Sequence, residues 1–70
     1  MNLKRKFDRA YTVTVFDKEH GNVIWTQAFK QEATAWARMD EWAAESDHVE
    51  SRGKIGWTIV LTTTEAPFIP

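Results

Sequence analysis

Asp47, His48 and Glu50 put two carboxylates and an imidazole into one short stretch, a combination from which metal sites are assembled. A zinc or transition-metal centre draws its ligands from separate segments and favours a second histidine or a cysteine. The chain has no cysteine, so these residues are read as a solvated loop and no metal or other cofactor is expected. His20 and His48 are the only histidines, and histidine is the side chain whose unperturbed titration lies near neutral pH. Each falls in a polar run between patterned segments and is read as a turn residue.

Asp40, Glu41 and Glu45 could share a helix face, but paired-carboxylate chemistry needs a cleft that so small a domain hardly offers. Gly21, Gly53 and Gly56 are scattered and match neither a dinucleotide nor a nucleotide phosphate loop. The four tryptophans stand mostly at periodic positions, which points to core packing before ligand binding. No base, nucleophile or metal set has an orienting partner in the pattern. The chain is therefore expected not to be an enzyme.

Seventy residues without cysteine allow one core and no disulfide support, and a core of that size leaves only ~3 to 5 kcal/mol of net stability. Self-association, as a homodimer, is a natural supplement. Nine Lys and Arg stand against ten Asp and Glu, so net charge does not select nucleic acid or an anionic membrane. The distribution is uneven, with Lys4, Arg5 and Lys6 at one end and Asp40, Glu41, Glu45, Asp47 and Glu50 further along. Apolar runs are too short to span a bilayer or to serve as a secretory leader. A soluble, cytoplasmic protein with no membrane partner is expected, as one domain over residues 1–70 with a basic arm at 1–8 and a Pro-flanked tail at 65–70.

From Ala10 to Phe16, Tyr11, Val13 and Val15 alternate with Thr12 and Thr14, the period of a half-buried strand. A polar run ending at Gly21 and Asn22 closes a hairpin into a second strand from about Asn22 to Phe29, with Val23, Trp25 and Phe29 on one face. Between Gln31 and Ser46 the period becomes helical, with Ala35, Trp36, Met39, Trp42, Ala43 and Ser46 on one arc. Ser46 to Lys54 reads as a loop, and Ile55 to Thr64 as a third strand with Ile55, Trp57, Ile59 and Leu61 alternating against threonines. The tail prolines, Pro67 and Pro70, restrict any further pairing to an edge.

These elements predict an α+β fold, a single ββαβ domain with a three-stranded antiparallel sheet in the order 2-1-3 and one helix on one face. The predicted core is Tyr11, Val13, Val15, Val23, Trp25, Phe29, Trp36, Met39, Trp42, Ile55, Trp57, Ile59 and Leu61. The other face is left uncovered. It carries Thr12, Thr14, Phe16, Ile24, Thr26, Ala28, Thr58, Val60, Thr62 and Thr64, neither charged like ordinary surface nor apolar like a core.

The series Tyr11, Val13, Phe16, Asp17, Gly21, Phe29, Glu32, Ala33, Ala35 and Trp36 resembles the amino-terminal arm-binding domain of tyrosine integrases, where a strand and a turn with Asp and Gly lead to Phe and then to a helix with Ala and Trp. The resemblance spans residues 11–36 and implies DNA binding through the sheet, with Lys4, Arg5, Lys6 and Arg9 contacting phosphates. That family typically sets three strands before its helix and basic residues on them. Here one strand follows the helix and the open face offers threonine. In size, architecture and want of enzyme parts the chain is also similar to short bacteriophage accessory proteins, some of which are ββαβ domains that bind and inhibit a host protein.

The expectation is thus a small protein-binding module, a regulator or inhibitor of the phage type. It would take a protein partner or a second copy on a strand edge or on the open face through Thr12, Thr14, Phe16, Ile24, Thr26, Thr58, Val60 and Thr62. The alternative is a DNA-binding domain using the sheet and the basic arm.

Overall fold

The structure, a computed structural model, describes the backbone of residues 7–67 and the side chains of residues 9–64. Strand β1 runs over Phe7–Asp17 and β2 over Val23–Phe29, helix α1 over Glu32–Ser51, and β3 over Trp57–Pro67. The sheet is antiparallel throughout in the order β2-β1-β3, the predicted ββαβ arrangement. Strand β1 begins before its expected start and β3 runs past its expected end. Phe7 and Asp8, assigned to the arm, pair with Pro67 and Ala66, assigned to the tail, and Arg9 pairs with Glu65 of the tail, where β1 and β3 outrun β2. Pro67 stands at the end of edge strand β3, a kind of position to which proline in a sheet is confined.

The turn between β1 and β2 is built by Asp17. Its carboxylate accepts hydrogen bonds from the backbone N–H groups of His20, Gly21 and Asn22, and Gly21 takes the φ of 74° that the reversal requires. The His20 N–H foremost, with the other two, holds the Asp17 carboxyl below its ordinary pKa.

Beyond that turn the register shifts between Val15 and Phe16. Val15 pairs with Trp25, but Phe16 pairs with Val23, and Ile24 is left between them. One extra residue moves every side chain behind it to the opposite face. Val23, placed in the core by simple alternation, therefore stands on the open face and is 55% exposed.

Helix α1 starts poorly and ends well. Gln31 caps it with an extended backbone but no side-chain bond, glutamine being a poor N-cap residue. Its last turn runs beyond Ser46, so Asp47, His48 and Glu50 are helical and not in a loop. Gly53 explains the extension: with φ of 81° its N–H bonds the Glu50 carbonyl, and the Lys54 N–H bonds that of Val49, closing a Schellman motif.

Val13, Val15 and Ala35 are fully buried, with Tyr11, Trp25, Phe29, Met39, Trp42, Trp57, Ile59 and Leu61 packed around them half-buried. Two more expected core residues lie outside. Ala35 presses its bare methyl onto the sheet, so Trp36, one residue further round the helix, is carried to the flank; it is 49% exposed and donates its indole N–H to Glu32. Ile55 precedes β3 rather than belonging to it and is 56% exposed. A single helix covers a narrow stripe, and the large half-buried indoles of Trp25, Trp42 and Trp57 occupy what remains of the space beside it.

Helix and β3 are joined through Ser46, the one buried polar side chain among the described residues. Its hydroxyl accepts from the Trp57 N–H at 3.0 Å and donates to the Trp57 carbonyl at 3.3 Å. The Trp57 indole in turn donates to the Trp42 carbonyl at 2.8 Å, with its ring edge-on to Trp42 at 5.6 Å.

Candidate functional site

Residue spacing along the strands decides what the uncovered side of the sheet presents. With the β1–β3 register running from Phe7 opposite Pro67 to Asp17 opposite Trp57, even-numbered residues of β1 share a face. Three rows cross the sheet: Ala28, Thr12 and Thr62; Thr26, Thr14 and Val60; and Val23, Phe16 and Thr58. Ala10 and Thr64 form a fourth on two strands. All eight residues proposed for partner binding lie within or beside these rows, with Ile24 at the bulge, 47% exposed. Val23 is an addition that only the bulge reveals.

None of these rows contains an ionisable side chain. Asp8 has the same parity but lies beyond the three-stranded part. The hydroxyls of Thr14 and Thr26 meet at 3.2 Å across the β1–β2 pair, a cross-strand contact that lets two polar groups satisfy one another. Thr12, Thr14 and Phe16 on the central strand are half-buried between their neighbours, whereas the flanking residues are exposed. The surface is accordingly neutral, shallow and rich in methyl groups.

The basic residues named for phosphate contact do not join it. Arg9 stands opposite Glu65 with the parity of Tyr11, on the side that carries the helix, and Lys4, Arg5 and Lys6 lie outside the described residues. On the central and edge strands, threonine occupies the positions where a phosphate would need cations.

Elsewhere several of the charged groups are paired locally. Among the described residues no three of His, Cys, Asp and Glu converge on a point that could hold a metal. Glu50 is bound by Lys18 at 2.8 Å, and that hydrogen bond lowers its pKa. Glu41 pairs with Arg38 at 3.0 Å. The guanidinium of Arg38 also lies over the Trp25 and Phe29 rings, at 5.6 and 6.0 Å. Arg38, Glu41, Trp42 and Glu45 line a shallow hollow of about 240 Å³ on the helix flank. Its one cation is thus already engaged with the hollow's own aromatic and acidic neighbours. No described helix is long and apolar enough to cross a membrane.

Fold and surface together define a class: an α+β domain of four elements with one sheet face under a helix and the other open. Comparison with protein-family models, with curated proteins and with solved structures finds no significant match.

Proposed function

We propose that this chain is a non-catalytic protein-binding module, a regulator or inhibitor that works by having the open face of its sheet covered by protein, a target's or a second copy's. The observation that carries this reading is the uncharged row system centred on Thr14. Ordinary solvated sheet faces bear charge, and this one bears methyls and hydroxyls, which gain by being covered when their polar atoms keep partners. The small core supports the same reading. Only Val13, Val15 and Ala35 are fully buried hydrophobics among the described residues, so a covered second face would add apolar contact that the isolated domain lacks.

Duplex DNA is a weaker candidate for the same face, because phosphate contacts supply most of such affinity and the rows hold no cation. The test is retention on immobilised chain. A protein held by the native bait and by an Asp40→Lys bait, altered on an exposed helix position, but released by Thr14→Lys and Val60→Lys baits, supports the reading. Retention indifferent to the face variants, or a duplex-DNA mobility shift at low salt that they abolish, overturns it.

A further inference from the structure

We infer that the occupant of the open face is a second copy of this chain, stacked face to face about a twofold axis. The inference rests on the docking reading above and names the partner.

A twofold interface brings one patch against itself, so any concentration of one charge sign there would face its own repulsion. Much of the remaining surface fails this condition. The exposed side of α1 carries Glu32, Asp40, Glu41, Glu45 and Asp47, which would oppose one another if two helices met. The rows through Thr12, Thr14 and Phe16 contain no ionisable group and meet themselves without that cost. A charged target, acidic or basic, finds nothing on them to pair with.

Polar satisfaction favours the same contact. The Thr14 and Thr26 hydroxyls already hold each other at 3.2 Å, so drying the centre of the face leaves each with a partner and one hydroxyl proton of the pair to be placed. Val23, Ile24 and Val60, exposed by 55%, 47% and 40%, supply the apolar area. Two such sheets pack with strands inclined by about 30° and small β-branched side chains between them.

The dimensions then set the strength. Three strands ~4.8 Å apart and about seven residues of length give a face roughly 15 by 23 Å. Two copies stacked on it bury roughly 700 Å², below the ~1,200 Å² at which stable specific interfaces begin and in the range of weak, transient contacts. A reversible, concentration-dependent dimer follows, in place of an obligate one.

Sedimentation velocity on the whole chain, from about 10 µM to about 1 mM, should show monomer passing into dimer within that range. Thr14→Lys and Val60→Lys should each raise the dissociation constant at least ~100-fold, and Asp40→Lys should leave it within about twofold. Circular dichroism checks that each variant is folded. Val60 lies on an edge strand and is 40% exposed, so a lysine there is tolerated by the monomer even if one at Thr14 is not. A strict monomer at the highest concentration overturns the inference, while the docking reading stands if the face variants still release a retained protein. A dimer that survives both lysine variants uses another surface and overturns the inference outright.

Discussion

Trp57 and Trp36 should respond in opposite ways to truncation. Trp57 is half-buried, its indole N–H is held by the Trp42 carbonyl at 2.8 Å, and its backbone is bonded twice to Ser46. Trp57→Ala should cost about 3 kcal/mol, the lower end for a large aromatic because the ring is not fully enclosed. That is comparable to the whole stability of a domain this small. Trp36→Ala, at a 49% exposed position on the helix flank, should change stability by no more than about 0.5 kcal/mol. Urea midpoints of the two variants measure the contrast, and equal losses would put both indoles in one core. Alternation along β3 made Trp57 legible, since period two assigns a face without knowing the partner. Trp36 was not legible because the helical arc in the sequence is wider than the stripe one helix buries. Nothing in residue type says that Ala35 sets the angle. Ser46 was placed on the apolar arc correctly, but its role as a bonded bridge to Trp57 depends on which backbone lies opposite.

At the scale of elements, the contact of α1 with the start of β3 hangs on an absent side chain. Gly56 is buried, and a methyl group there would overlap the Ser46 Oγ and stand 2.8 Å from a Glu50 carboxylate oxygen. Both groups are engaged, Ser46 with Trp57 and Glu50 with Lys18, and Lys18 also donates its backbone N–H to the Gly56 carbonyl. Gly56→Ala should therefore force the helix end away from β3 and destabilise the fold by about 1 to 3 kcal/mol. The resonances of Ser46, Glu50 and Trp57 should shift together, and a neutral effect would show that this junction yields freely. Element types and topology followed from periodicity alone, because periods of two and of 3.6 residues differ plainly over such lengths. The ends did not follow as well. The helix runs to Ser51 because Gly53 serves as its C-terminal glycine, a signal present in the sequence but read as loop. The bulge at Ile24 carries no such mark, and it is what moved Val23 to the open face.

For the molecule as a whole, a face-to-face dimer links stability to concentration. Whatever binds the folded chain and not the unfolded one stabilises the fold by mass action. Above the dissociation constant a tenfold rise in chain concentration adds about 0.7 kcal/mol per chain, half of the ~1.4 kcal/mol that a factor of ten represents per dimer. At this length that raises the melting temperature by about 3 to 5 °C per decade. Salt separates this contact from a charged one. The rows from Ala10 to Thr64 contain no ion to be screened, so the dissociation constant should stay within about twofold between ~0.05 and ~1 M salt. Charges of opposite sign do exist in the chain, Lys4 to Lys6 against the acidic residues from Asp40 to Glu50. A dimer held by those would weaken steeply over the same range, as would binding to phosphates. Calorimetric melting at several concentrations and two ionic strengths therefore decides between the neutral face and the charged ends. A melting temperature that rises with concentration and ignores salt places the contact on the threonines, and one that salt collapses places it on the charges.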